Sequence, residues 1–344
     1  MGAGRAGVVN QRGNEMENPI LSLVGFDGVG SVVLREGGVL EPGPGEALLE
    51  TLVSPVNPAD LNVLEGKYGQ LPELPSVPGT EGVARVLALG TGCGQSGIRV
   101  GERVVLPAGY GAWKRYGVAA ERNLVRVPEG VDDAQAAMVR INPATAWCLL
   151  REVVAESRGW VLQNAGNSGV GHAVRSLGRQ LGIHVVSFVR DAGVAERMRH
   201  SGELAFMDDD ASASEVRGAD WFGVGAHLAL NGVGGESALR QANLMRDGAT
   251  QVTYGAMGRQ PLRVPNGMLI FRDLSFRGFW VSRWYERVGR DRGKQLVADL
   301  LQRMLSPDWL PLPVYGEFAV TDFADALRVA ASGVRGKVLI RFAR

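Results

Sequence analysis

The sequence predicts a two-domain α/β protein in which a β-rich domain is interrupted by a domain of alternating strands and helices. Three observations predict it. The chain has 344 residues, more than one core usually serves. From Ser31 to about Pro128, short apolar runs are separated by Gly and Pro turns. From about Thr145, strands alternate with amphipathic helices, which is the text of βαβ units on a doubly wound parallel sheet.

Taken in order, residues 1–18 are rich in Gly, Asn and charge and read as a flexible extension, with Glu15 and Glu17 arguing against a transit peptide. Strands follow at Ser31–Leu34, Ala47–Val53, Val83–Leu89 and Arg103–Leu106. In the second domain, strands Trp160–Asn164 and Val185–Val189 flank a helix that runs to Gln180. Leu204–Met207, His227–Asn231, a helix to Met245 and Ala249–Tyr254 come next. Amphipathic helices at Lys294–Leu305 and Phe323–Ala331 precede a closing strand, Gly336–Phe342, expected to return to the first domain. The expected domains are 19–144 with 281–344, and 145–280. Glycine, 48 of 344 residues, is about twice its usual ~7% share and punctuates these many short elements.

Composition narrows the function classes. Lys plus Arg number 37 against 36 Asp plus Glu, so there is no basic footprint for nucleic acid or anionic membrane. No apolar run reaches the ~18 residues of a membrane span, and a cytoplasmic location is the expectation. Cys93 and Cys148 are too few for a disulfide framework or a four-cysteine zinc site, and His172, His184, His200 and His227 form no ligand pair.

The most informative stretch is Trp160-Val-Leu-Gln-Asn-Ala-Gly166-Asn-Ser-Gly169-Val-Gly171. A strand runs into a glycine-rich turn and then a helix with the stripe Val170, Ala173, Val174, Leu177 and Leu181, and a second strand ends in a charge 19 positions after Gly171. That layout suits a dinucleotide: glycines admit its pyrophosphate to a helix N-terminus, and the charge reads the adenosine ribose. Arg190 offers a planar cation to the 2′-phosphate of NADP. Asp191 beside it offers a carboxylate to the ribose hydroxyls of NAD, so the residues alone leave both cofactors open.

Val56-Asn-Pro-Ala-Asp60-Leu-Asn62, the glycine turn and Gly336-Lys-Val-Leu-Ile together resemble the medium-chain dehydrogenase/reductase superfamily. The blocks Gly66-Lys-Tyr68-Gly-Gln-Leu-Pro-Glu-Leu-Pro75, Asn142-Pro-Ala-Thr-Ala146, Val189-Arg-Asp191, Asn231-Gly-Val-Gly-Gly235, Val252-Thr-Tyr-Gly-Ala-Met257 and Phe271 through Trp280 resemble its mitochondrial-type trans-2-enoyl thioester reductases. The resemblance implies a GroES-like β-rich catalytic domain wrapped around an inserted Rossmann domain. It also implies NADPH-dependent reduction of the 2,3 double bond of an enoyl group on coenzyme A or acyl carrier protein. Tyr68 would be the proton donor. Asn142, Asn167, Ser168, Gly169, Val170, Arg190, Asp191, Tyr254, Gly255, Ala256, Met257, Phe279, Trp280, Val281 and Lys337 would contact the cofactor. Family members often carry a second arginine where Ala192 stands, and zinc-bearing relatives carry Gly-His-Glu where this chain reads Gly79-Thr80-Glu81.

Conjugate reduction needs hydride at C3, a stabilised thioester oxygen and a proton for C2, a role a well-aimed tyrosine can fill. The alternatives are a zinc-independent quinone or enone oxidoreductase, and a non-catalytic NADPH-binding protein. The aromatic residues Phe276, Phe279, Trp280, Trp284 and Tyr285 read equally as an acyl pocket and as core or interface. A homodimer is expected through edge strands near Asp247–Tyr254 and Leu274–Trp280, because the apolar text of the latter invites pairing.

Overall fold

The computed structural model describes residues 17–152 and 159–343, so most of the 1–18 extension lies outside the described residues. Residue 18 corrects its boundary. Asn18 is buried and opens strand β1 (Asn18–Leu23), its side chain donating to the Gly38 carbonyl at 3.0 Å and accepting from the Tyr116 N–H at 2.8 Å.

The chain divides into two compact units. One comprises residues up to Ile141 with Val288–Leu305 and Leu312–Arg344; the other comprises Asn142–Arg287 with Ser306–Pro311. The first seam falls at 141/142 and not at 144/145, because Asn142-Pro143 opens a continuous helix, Asn142–Arg151. Proline suits a first helical turn, where its missing N–H has no partner to lose. The second seam falls at 287/288, seven residues beyond the expected one.

The first unit is β-rich. Strands β2 (Val32–Gly37), β3 (Glu46–Pro55), β4 (Val83–Leu89), β5 (Arg103–Val105), β6 (Tyr116–Ala120) and β7 (Val125–Arg126) follow β1 in the chain. β1 and β2 form an antiparallel ribbon, while β3 pairs with both β4 and β6. Helix Pro58–Leu64 follows β3.

Among the described residues the second unit carries six strands: β8 (Trp160–Gln163), β9 (His184–Val189), β10 (Leu204–Met207), β11 (Ala226–Asn231), β12 (Met245–Thr253) and β13 (Ser275–Gly278). They form one parallel sheet in the order β10-β9-β8-β11-β12-β13. Chain order reverses between β8 and β11, the switch point where the carboxyl ends of a doubly wound sheet open a crevice for ligands. Because β12 is paired on both sides, the expectation that Asp247–Tyr254 forms an open edge is corrected; β13 lies outside it and is the edge. The helix expected at Lys294–Leu305 begins at Val281 and runs to Arg303, broken at Gly289, whose φ of 76° is left-handed. The aromatic pair Trp284 and Tyr285 meets edge-on at 5.2 Å, while Phe276 packs on the core of the Rossmann-type sheet. The chain then returns to the first unit. There β14 (Val314–Ala319) pairs with β15 (Lys337–Arg341), and β15 inserts beside β3, completing a seven-stranded sheet.

Candidate active site

The glycine turn after β8 is built by close backbone approach. A Cβ on Gly171 would stand 2.4 Å from the Gly166 carbonyl oxygen, and one on Gly166 would stand 2.7 Å from the Ser187 Cβ on β9. Only glycine lets strand, turn and helix pack at this distance. Ser168 caps helix Gly169–Leu181, its Oγ accepting the Gly171 N–H at 3.1 Å, and Gly182 stops it with a left-handed φ of 67°. The N–H groups of Gly169 and Val170 have no intrahelical acceptor, which leaves two donors at the positive end of the helix, where negative charge is favoured.

Neighbouring loops are held by a buried polar chain that sequence reasoning did not assign. Asn164, at the end of β8, donates to Asn231 Oδ1 at 2.9 Å and to Ser237 Oγ at 2.8 Å, and accepts the Gly232 N–H at 2.7 Å. Asn231 accepts the Gly234 N–H at 2.9 Å and donates to Thr253 Oγ1 at 3.0 Å. Ser237 donates to Asp208, which Arg240 also holds at 3.0 Å. The chain therefore ties together the carboxyl ends of β8, β11 and β12. The available signal was an asparagine closing each of two otherwise apolar strands.

Arg190 directly follows β9, is exposed, and has no hydrogen bond or ion pair among the described residues, so its guanidinium is available to an anion. Asp191 serves the fold, since its Oδ1 accepts the Val194 N–H at 2.9 Å and caps helix Ala192–His200. Tyr254 follows β12, and its buried hydroxyl lies beside the Ser168 side chain without an aligned partner; burial raises its pKa, so it stays a donor. Gly255 is pressed against Gly232, where an added Cβ would meet its carbonyl oxygen at 3.0 Å, while Ala256 and Met257 are exposed. Phe279 bonds through its N–H to the Thr253 carbonyl at 2.9 Å, Trp280 is half-buried and Val281 buried. Asn142 is buried at the start of its helix. Apart from Lys337, the residues expected at the cofactor all belong to this second unit. An orphaned hydroxyl, an open helix N-terminus, an unpaired arginine and a turn too tight for any Cβ fit a dinucleotide phosphate.

Tyr68 belongs to the first unit and is half-buried. Helix Pro58–Leu64 ends just before it: Gly66 takes a left-handed φ of 67°, its N–H donates to the Val63 carbonyl at 3.0 Å, and Lys67 N–H donates to the Asn62 carbonyl at 2.8 Å. This double-bonded glycine stop fixes the direction in which the Tyr68 segment leaves the helix.

Lys337 is found in a setting the sequence did not suggest. It is buried, and its ammonium donates to Asn57 Oδ1. Asn57 donates to Glu81 Oε1 at 2.9 Å, Glu81 Oε2 accepts the Ile141 N–H at 2.9 Å, and Asp60 accepts the Asn57 N–H at 2.8 Å. Burial raises Asp60 to about 6 and Glu81 to about 7, against the opposing pull of these hydrogen bonds and of Lys337. Burial lowers the Lys337 pKa, and the two carboxylates oppose that shift. Lys337 thus serves as the cation of a buried polar cluster. Among the described residues no group of three or more His, Cys, Asp or Glu could hold a metal ion.

The family described as the alcohol dehydrogenase GroES-like domain matches residues 43–129. The chain is 35% identical over 289 residues to the mitochondrial enoyl-[acyl-carrier-protein] reductase of Homo sapiens, covering 82% of this chain and 77% of that protein. It is 35% identical over 305 residues to the protein of that name from Xenopus tropicalis, covering 86% of each. Among solved structures, a mitochondrial 2-enoyl thioester reductase heterodimer from Candida tropicalis matches with a TM-score of 0.83 at 22% identity, over 95% of this chain and 100% of that one. A putative NADPH:quinone reductase from Bacillus thuringiensis matches with a TM-score of 0.84 at 23% identity, over 96% and 100%. These two structures share the fold of this chain and differ from each other in the substrate they are named for.

Proposed function

Because the chain belongs to the mitochondrial-type enoyl-[acyl-carrier-protein] reductases of the medium-chain dehydrogenase/reductase superfamily, we propose that it reduces the 2,3 double bond of trans-2-enoyl thioesters with NADPH. The thioester is carried on coenzyme A or acyl carrier protein. The observation that carries this reading is the Gly66-Lys-Tyr68-Gly69 frame, which a simple quinone reductase does not need. A Candida tropicalis reductase of the same fold was solved with NADP and crotonyl-CoA, which supports the pairing of cofactor and substrate.

NADPH, when bound, supplies the hydride that goes to C3. The chain supplies the rest. Gly169 and Val170 N–H groups receive the pyrophosphate at the helix terminus, Tyr254 donates from its buried hydroxyl, and Arg190 pairs with the 2′-phosphate. Tyr68 O–H gives its proton to C2, and the phenolate recovers one from water, so one hydride and one proton give the saturated thioester. The protein works as a homodimer, with the open β13 edge of one copy pairing with that of another.

The test follows NADPH oxidation with crotonyl-CoA, a longer enoyl-CoA and a quinone. Turnover of the enoyl thioesters is expected. Oxidation with the quinone alone overturns the reading in favour of a quinone reductase, and binding without turnover of any of them favours a non-catalytic NADPH protein. Tyr68→Phe keeps the ring and removes the donor, so kcat should fall about 10²–10⁴-fold with NADPH affinity unchanged. A near-wild-type kcat in that variant returns the proton to water while leaving the reductase assignment in place.

A further inference from the structure

We propose that Arg175 is a positioning residue for the cofactor: from within helix Gly169–Leu181 its guanidinium holds the Gly166 carbonyl and fixes the glycine turn in its receptive shape. The inference rests on the NADPH reading of this turn. Arg175 lies on the helix side that the amphipathic stripe leaves to polar residues, yet it is only 6% exposed. All sides of its guanidinium are engaged. Nη1 donates to the Gly166 carbonyl, Nη2 lies 3.1 Å from His172 Nδ1, and Nε lies 2.8 Å from Glu203 Oε2 as an ion pair without hydrogen-bond alignment. Glu203 is held in turn by Arg179 at 3.0 Å.

The protonation states agree with this geometry. Burial, with the Arg175 charge beside it, holds the His172 pKa down at about 3, so the ring is neutral at working pH. Its Nδ1 then accepts from Arg175, and its proton sits on Nε2.

A buried arginine is costly unless paired, and an apolar side chain of like volume often serves stability as well or better. Stability is therefore a weak reason for a guanidinium here, and the group it controls supplies the stronger one. Gly166 is pinned twice: its N–H donates to the Phe188 carbonyl at 3.1 Å, and its carbonyl is held by Arg175. That same carbonyl is the atom against which Gly171 packs without a Cβ. Fixing it sets the path of Asn167 and Ser168, and hence the aim of the N–H groups that open the helix.

The experiment measures dissociation constants of NADPH and of 2′-AMP, which carries the 2′-phosphate but no pyrophosphate, for wild type, Arg175→Met, Arg175→Lys and Glu203→Gln. Arg175→Met should weaken NADPH about 10- to 100-fold, the range of one charge-assisted hydrogen bond, while 2′-AMP stays within about twofold. Arg175→Lys should recover part of the loss. Glu203→Gln, which keeps the guanidinium and loosens its anchor, should shift NADPH in the same direction by less. In steady-state assays the loss in Arg175→Met should fall on the KM for NADPH more than on kcat. An unchanged NADPH constant in Arg175→Met overturns the proposal alone, as does an equal loss for both ligands, which marks Arg175 as merely structural. A wild-type protein that does not bind NADPH overturns the cofactor reading and this proposal with it.

Discussion

Replacing Gly171 by alanine tests the backbone cradle directly. The added Cβ would lie 2.4 Å from the Gly166 oxygen, 2.6 Å from its carbonyl carbon and 2.8 Å from the Ala165 oxygen. All three atoms are main chain, so no rotamer change relieves the clash. Ordinary contact begins at 3.4 Å, so turn and helix must separate by about 3.4 − 2.4 = 1.0 Å. Overpacking of this kind costs ~1–3 kcal/mol, and the helical gain of alanine over glycine returns ~0.5–1 kcal/mol. A net loss of ~1–2 kcal/mol should lower the melting temperature by several degrees. The effect on cofactor should be larger, because a 1 Å shift misaligns donors worth ~1.5–3 kcal/mol each to a charged acceptor; NADPH should bind more than 10-fold more weakly. Fluorescence titration with NADPH and thermal melting read the two effects separately. Gly218→Ala is the control: at the end of helix Asp210–Gly218 its Cβ would meet nothing within 4 Å, so both readings should stay near wild type. If Gly171→Ala binds NADPH and melts like the wild type, the close approach of turn and helix does not shape the site and the reasoning fails.

Arg190→Ala should weaken NADPH about 10- to 150-fold and leave NADH nearly unchanged, as judged from KM for each; equal losses would make Arg190 structural. Asp60 and Glu81 carry folded pKa values of about 6 and 7, above those of the unfolded chain, so their contribution to stability is full below pH ~4 and is lost as pH rises through those values. His172, kept neutral by the fold, pulls the opposite way below pH ~6.5, so the reading is the difference in urea midpoint between wild type and Glu81→Gln across pH 5–8. That difference should change with pH, and a constant offset would refute the assignment. Light scattering at micromolar concentration should return twice the 36.7 kDa chain mass, and a monomer mass would refute pairing through β13.

The second unit was the more legible because its signals are local. The boundaries of β8, β9, β10 and β11 fall within a residue of those expected, since Gly, Asn and Asp mark where apolar runs stop. The Val281–Arg303 helix was only half visible, because Gly289 interrupts it and its first turns are crowded with arginine and glutamate. β1 was lost among polar neighbours, though an asparagine buried by two backbone partners opens it. At the site, Arg190 and the glycine turn were readable from spacing. Asp191 was offered a ribose although its place before a helix signalled a cap. The partners of Lys337 were beyond sequence reasoning, since Asn57 lies 280 positions away and only the fold brings them together. Arg175 lies opposite the apolar stripe of its helix, and only the fold brings Glu203 and Gly166 around it.

The Asn57, Asp60, Glu81 and Lys337 cluster also constrains biosynthesis. As the chain is made, two interior acids of the β-rich unit appear more than 250 residues before the cation that sits with them, and β3 waits equally long for β15 on one side. The parallel-sheet unit has no such dependence on later residues, because all its elements have emerged by Pro311. During translation the inserted unit can therefore mature first, while the amino-terminal strands remain a half-finished sheet that a ribosome-associated chaperone has the longest time to meet.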